Sequence, residues 1–233
     1  MIIAKKNKQK AWNKGFNKET HPGVAKISVT MSAKEKTNFY EWQQKNKPKY
    51  VNLQISPLLA EFYGIMLGDG CIEMFVRTEK IVVTCFSEQV DYIKYIRRMI
   101  KRLFGKTPTV RKKKDARAID IYFYQKYISE RLDFPTGIKL KHSLKIPAWI
   151  SCSQSYLVRC LKGLFETDGD FTVASKNYTY VIKFSNRSQS LLDDVYFALK
   201  SLGYHPQRRK VDVRIARKKE AYKFAEQISF RKW

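Results

Sequence analysis

The apolar positions of this chain change period several times, and each change marks an element. From Pro57 to Leu67 the sequence is apolar almost throughout, and Gly68-Asp69-Gly70 ends the run. Ser56 suits an N-cap and Pro57 the first helical position, so the stretch predicts a helix. Cys71 to Thr78 and Lys80 to Phe86 then alternate as two strands of a hairpin do. In the first of these, Ile72, Met74 and Val76 form an apolar series expected to pack on helices, and Glu73, Phe75 and Arg77 point the other way. From Ser87 to Phe104 the apolar residues Val90, Ile93, Ile96, Ile100 and Leu103 follow a helical period, with Gly105 as the stop. Thr107 to Lys112 and Ala118 to Tyr124 predict a second hairpin, and Lys126 to Leu132 a short helix.

The pattern then repeats. Gly64-Ile-Met-Leu-Gly-Asp69-Gly70 is answered by Gly163-Leu-Phe-Glu-Thr-Asp168-Gly169, an offset of 99 residues between the aspartates. Phe86 and Phe184, Gly105 and Gly203, and Pro108 and Pro206 are each 98 apart. The second copy predicts a helix over Ser153–Glu166, strands over Asp170–Ser175 and Tyr178–Ser185, a helix over Ser188–Leu202, strand material to Ala216 and a helix over Lys218–Ile228. A repeat this long suits a duplicated domain with pseudo-twofold symmetry rather than a solenoid. The fold class expected is therefore α+β, two αββαββα halves at 57–147 and 148–233, with Ser129 to Pro147 carrying the link. Residues 1–50 precede them as a basic leader holding 12 Lys, no Arg and three acids, with short helices expected over Glu19–Thr30 and Ala33–Lys45.

Composition narrows the function. The chain has 46 Lys+Arg against 21 Asp+Glu, a net charge of +25, with 44 % apolar residues to build a core. Such an excess calls for a polyanion, nucleic acid before anionic membrane, since no basic amphipathic helix stands out. No apolar run approaches the roughly 20 residues of a membrane span, and Met1 to Lys10 holds no signal-like stretch, so an intracellular protein without membrane attachment is expected. Cys71, Cys85, Cys152 and Cys160 form no C-x-x-C pair and no histidine lies near them, which argues against zinc.

The two motif helices carry the candidate chemistry. Gly64 and Gly68, and Gly163 and Thr167, are small residues four apart, on one face of each helix. Such faces let two helices approach backbone to backbone. Asp69 and Asp168 would then emerge side by side at the negative ends of two helix dipoles, where a divalent cation relieves both repulsions. Hard oxygen donors favour Mg²⁺.

Phe62-Tyr63-Gly64-Ile65-Met66-Leu67-Gly68-Asp69-Gly70 and Leu161-Lys162-Gly163-Leu164-Phe165-Glu166-Thr167-Asp168-Gly169 resemble the two nonapeptides of single-chain LAGLIDADG homing endonucleases, and the resemblance extends over about Pro57 to Ile228. It implies two saddle-shaped antiparallel sheets, double-stranded DNA as partner, a monomer, and Mg²⁺-dependent hydrolysis of both strands of a long, imperfectly palindromic site. A catalytically inactive DNA-binding protein or an RNA maturase on the same fold is the alternative. Asp69 and Asp168 match the metal-binding catalytic acids, and the carbonyls of Gly68 and Thr167 the positions that complete the coordination. Gln89 and Arg187 match a polar position beside them. Lys139, or Lys141 in its place, matches a basic residue near the scissile phosphate, and its second-half counterpart is absent or comes from Arg231 or Lys232. In the leader, Trp12-Asn-Lys-Gly-Phe-Asn-Lys-Glu-Thr20 resembles a modular DNA-binding motif.

Alternation along the strands then assigns the DNA face. Glu73, Phe75 and Arg77 in one half, and Asp170, Thr172 and Lys176 in the other, are the candidates for base and phosphate contacts. Phe171 and Val173 are expected to pack inward. Arg111, Lys113, Arg117, Arg208, Arg209, Lys210 and Arg214 supply a basic rim on the second hairpins.

Overall fold

The computed structural model describes residues 11–33, 45, 53–114, 116–174 and 179–231. The chain divides into two compact units, Met1–Val51 and Asn52–Trp233. In the first, one helix, α1 (Pro22–Ala33), is described, starting three residues later than the sequence pattern predicts. The helix expected over Ala33–Lys45 falls largely outside the described residues.

The second unit contains both halves in the expected element order. The first runs α2 (Pro57–Gly68), β1 (Gly70–Phe75), β2 (Thr78–Phe86), α3 (Val90–Phe104), β3 (Thr109–Lys112), β4 (Ala118–Gln125) and α4 (Ile128–Leu132). A 3₁₀ turn (Lys139–Lys141) and α5 (Ala148–Ser151) follow. The second half runs α6 (Gln154–Asp168), β5 (Gly169–Ala174), β6 (Thr179–Ser185), α7 (Gln189–Ser201), β7 (Gln207–Arg208), β8 (Asp212–Ile215) and α8 (Lys218–Gln227). Each half holds one antiparallel four-stranded sheet, ordered β1-β2-β4-β3 and β5-β6-β8-β7. Among the described residues no helix is long and apolar enough to cross a membrane.

The central element is the pair α2 and α6. The Ser56 hydroxyl caps α2 by accepting from the Leu59 N–H at 3.2 Å. Every residue from Leu59 to Leu67 is buried, as a helix apolar on nearly all sides requires, and the one carboxylate among them, Glu61, pairs with Arg159 at 2.9 Å. A Cβ on Gly64 would land on the carbonyl of Cys160, one on Gly163 on the carbonyl of Glu61, and one on Gly68 on the Thr167 hydroxyl. The Thr167 hydroxyl turns back to donate to the Leu164 carbonyl at 2.8 Å. The close approach expected from the small residues is thus present at three of the four positions through glycine, and at the fourth through a threonine that bonds its own helix.

The sheets sort their residues by face. In the first, Ile72, Ile81, Val83, Cys85, Ile121 and Phe123 are buried against the helices. The opposite face carries Glu73, Lys80 and Tyr124 in one row of the register, and Thr84, Asp120 and Arg111 in another. Two expectations fail on β1. Met74 and Val76 are 61 % and 100 % exposed, because the hairpin runs past the helix layer, which covers the strand only near Gly70–Ile72. The hairpin also turns at Val76-Arg77, with Phe75 opposite Thr78, so the strand ends earlier than its alternation predicts. Val173, in the same place on β5, is exposed too, whereas Phe171 packs on the core.

The landmark phenylalanines are not equivalents. Phe184 is fully buried, whereas Phe86 is 42 % exposed. Phe184 pairs with Gly169 as Val83 pairs with Gly70, which makes Val83 the counterpart of Phe184. The β5–β6 hairpin is two residues longer than β1–β2, so the halves run 99 residues apart at the aspartates, 101 apart here and 99 apart again at the N-caps Gln89 and Ser188. The change to 98 falls inside α7, which has 13 residues where α3 has 15.

Candidate active site

Asp69 follows the last residue of α2 and Asp168 is the last residue of α6. Gly70 and Gly169 follow because each strand leaves directly over the helix it came from. A Cβ at either would strike Met66 or Phe165. This tight exit holds both aspartates at one end of the helix pair. Asp69 keeps a side open to solvent, yet the protein around its carboxyl removes much of its hydration. That desolvation first, and the neighbouring Asp168 charge second, push it up to about 6, with Lys139 opposing. Asp168 is raised by desolvation too, less so because the Asn186 amide and Lys139 favour its charged form.

Lys139 sits at the same point. Its ammonium donates to the carbonyls of Met66 at 3.2 Å, Leu67 at 3.0 Å and Gly68, the exposed acceptors of a helix C-terminus. Burial lowers its proton affinity, and the two carboxylates partly restore it. Lys141, the alternative, is exposed and caps nothing here. Carbonyls and carboxylates therefore converge on a position that attracts a cation. Among the described residues no three His, Cys, Asp or Glu side chains cluster, so a metal there would draw on two carboxylates, backbone carbonyls and water. That donor set fits a hard divalent ion which keeps part of its hydration.

An open cleft of about 460 Å³ borders this centre, lined by Gly68, Lys139, Asp168, Asn186 and Arg187 among others. Arg187 thus lies at the cleft wall, while the residue that touches an aspartate is its neighbour. The Asn186 side-chain amide donates to Asp168 Oδ2 at 2.8 Å. Gln89 stands at the N-cap of α3 with no capping bond from its side chain. Its positional mate is Ser188, the N-cap of α7, and not Arg187. Counting 16 residues back from the helix-ending Gly105 and Gly203 misplaces this pair by one, because α7 is shorter than α3. At the end of α6, the Arg231 guanidinium donates to the Gly169 carbonyl at 3.2 Å and its N–H to Glu166 at 2.6 Å. Lys232 lies outside the described residues.

The DNA-face candidates divide. Asp170, Lys183, Arg214 and Gln207 form one row across all four strands of the second sheet. Arg214 donates to Gln207 at 3.0 Å, and Asp170 accepts from the Thr172 hydroxyl at 2.7 Å. In the first sheet Glu73 pairs with Lys80 at 3.0 Å, and Lys113 with Asp120 at 3.2 Å. Phe75 meets Tyr124 edge to face, and Arg77, Arg111 and Arg117 are exposed. Arg209 and Lys210 lie exposed in the β7–β8 turn. Arg208 departs from expectation. It faces the helix layer, donating to Asp193 at 2.8 Å and to the Gln189 side chain at 2.8 Å, because it pairs with buried Val213 rather than with Arg214. Lys176 lies outside the described residues.

Residues 155–229 match the family model of the LAGLIDADG-like domain. A structure of the homing endonuclease I-DmoI in complex with DNA and Mn superposes with a TM-score of 0.53 at 18 % identity, over 75 % of this chain and 97 % of that one. The chain has the LAGLIDADG fold. The N-terminal LAGLIDADG domain of DUF199/WhiA superposes with the same TM-score at 18 % identity, over 76 % of this chain and 83 % of that one. An I-DmoI variant in complex with its target DNA in the presence of Mg gives 0.51 at 17 % identity, over 74 % and 96 %. No curated protein matches the sequence.

Within the LAGLIDADG fold of this chain, sequence reasoning missed Asn186 and the pairing of Arg231 with Glu166. Asn186 was findable, because it follows the alternation of β6 by one step and lies 18 residues past Asp168. Arg231 reaches Gly169 only through two left-handed residues, Ser229 and Arg231, which no side-chain pattern announces.

In the leader, Asn17 caps its own turn by accepting from the N–H groups of Glu19 and Thr20 at 2.9 and 2.8 Å. Trp12 and Phe16 pack on His21, with ring centroids 5.7 and 4.8 Å away. The segment resembling a DNA-binding motif is therefore a folded turn leading into α1.

Proposed function

We propose that the chain is a sequence-specific double-strand DNA endonuclease. It acts as a monomer on a long, imperfectly palindromic site, through a divalent cation, Mg²⁺ by preference. The observation that carries this is the placement of Asp69 and Asp168 at matched ends of two packed helices, each leading straight into a strand of an open sheet. The I-DmoI structures with DNA and Mn, and with target DNA and Mg, support the substrate class and the divalent ion.

In this reading Asp69, Asp168 and the carbonyls of Gly68 and Thr167 hold the ion. When bound, it supplies water activation and neutralises charge on the phosphoryl group and leaving 3′ oxygen. The protein's own residues do the rest. The Asn186 amide fixes the Asp168 carboxylate and favours its ionised form. Lys139 brings a cation to the phosphate and balances the paired carboxylates. Arg187 on the cleft wall, with Arg111 and Arg214 on the open faces, positions the backbone. The two sheet faces differ, so each half reads different bases.

Cutting and binding separate the readings. Cleavage of a plasmid library with a randomised insert, with and without Mg²⁺, should yield one preferred site. Asp69→Asn and Asp168→Asn should each abolish double-strand cutting and keep duplex affinity within about threefold, since the carboxylates hold metal and not DNA. Full cutting by either variant overturns the assignment. Tight specific binding with no cutting by the wild type leaves a DNA-binding protein on this fold.

A further inference from the structure

The back of the first half is strongly basic and that of the second is not. Helix α3 buries Tyr92, Ile93, Ile96, Met99 and Ile100 against the core face of the first sheet. Its outward face presents Lys94, Arg97, Arg98, Lys101 and Arg102, and Lys106 follows one residue past Gly105. Only Lys94 has an acidic partner there among the described residues, Asp91 at 3.1 Å. Helix α7 occupies the same place in the second half. Its charged residues are Asp193, Asp194 and Lys200, two acids and one base. The fold therefore does not require cations here. A cleft of about 430 Å³ lies between α3 and the Thr107-Pro108 turn, walled by Lys94, Arg97, Arg98 and Lys101.

This face cannot belong to the saddle. The buried layer of Ile81, Val83, Ile121 and Phe123 stands between it and the open sheet face. A duplex on the open face is separated from α3 by the thickness of the half. We propose that the outward face of α3 and its cleft form a second polyanion site, which takes the backbone of a separate segment of duplex DNA. Three features favour a duplex read through its phosphates. The exposed positions of the helix hold no aromatic ring on which an unpaired base could stack. They hold no amide side chain that could read a base edge. Cations at 94, 97, 98 and 101 extend about 10 Å along the axis, the length of several phosphates. The site would let one molecule hold a second stretch of DNA while the first occupies the saddle.

The test uses the full chain. Its saddle is filled with an unlabelled long duplex selected from a randomised library, and a fluorescent non-specific duplex of about 12 base pairs is added. Anisotropy across a salt series reads the second binding event. The wild type should bind the short duplex. R97Q/R98Q/K101Q should bind it about tenfold more weakly at low salt and flatten the log–log salt slope by roughly three, at about 0.9 per phosphate contact. R111Q/R214Q should leave that event unchanged and weaken the long duplex instead. An unchanged melting temperature of the triple variant establishes that it is folded. Equal binding of the probe by the triple variant and the wild type overturns the site. So does binding of an RNA duplex of the same sequence about tenfold tighter than the DNA. If no library duplex is held specifically, the nuclease reading fails by itself. The effect of R97Q/R98Q/K101Q on the short duplex still decides this inference.

Discussion

Glu166 shows how a single side chain can cost stability at the pH where the protein works. It is buried at position six of the second motif, where the first motif has Leu67. Burial pushes its carboxyl up to about 8, against the Arg231 N–H and the charges of Lys162 and Arg231, while Glu61 adds to the rise. A raised carboxyl binds its proton more tightly folded than unfolded. Its contribution is thus fully present below the unfolded value near 4.5 and is lost as pH rises toward 8. Glu166→Gln should flatten the pH dependence of urea unfolding across that window, where one group can remove up to about 1.4 kcal/mol per pH unit. The variant should be more stable than the wild type at pH 8. An unchanged slope would mean that Glu166 is already ionised in the folded chain. Asp69, pushed up to about 6, acts in the same direction over a lower range. Neither value was legible in the sequence, since acidic residues look alike there. What could be read was the pairing of Asp69 with Asp168, because duplication displays it twice.

At the scale of elements, the helix seam is the part most exposed to substitution. Gly64 and Gly163 lie where a Cβ meets backbone of the opposite helix, which cannot rotate away. Gly64→Ala should destabilise by about 3 kcal/mol or more, a large value for one methyl group. Gly105 is a contrast. Its φ is +64° with open space around it, so Gly105→Ala should cost only about 1 kcal/mol, for the left-handed backbone alone. Chemical denaturation of the two variants side by side checks both the sign and the ratio. Comparable losses would show that the helices separate readily to admit a side chain. The seam was legible because small residues four apart have one plain use. The strand faces were less so. Alternation placed Ile72 and Phe171 correctly but could not tell that the helices stop short of Met74, Val76 and Val173. Arg208 joins the basic rim on its charge alone, and a two-residue strand offers too few positions for alternation to fix its phase.

For the whole molecule, the link between halves is stitched rather than slack. Gly137 donates to the Ile72 carbonyl at 2.9 Å, the Ile146 N–H to Asp194 at 2.7 Å, and the Ser190 hydroxyl to the Leu144 carbonyl at 2.8 Å. The leader falls in a compact unit of its own, with a charge of +9 over residues 1–50 from 12 Lys and three acids. Removing residues 1–50 should weaken duplex binding and flatten its salt dependence by roughly 0.9 for each phosphate the lysines neutralise. The melting temperature of the remaining unit should be little altered. An equal salt slope, or a large fall in melting temperature, would show that the leader does not bind DNA.

The glycine seam also bears on ancestry and recombination. A chain with two matched halves invites the exchange of one half for that of a relative, and the open sheets impose no bar to it. The seam does. A donor half brings its own residues to the place of Gly64 or of Gly163, and any bulk there meets backbone that belongs to the other parent. Shuffled chains would be sorted by whether their central helices can touch, before either half meets a base pair. The two halves can diverge freely in what they read and only together in how they are joined.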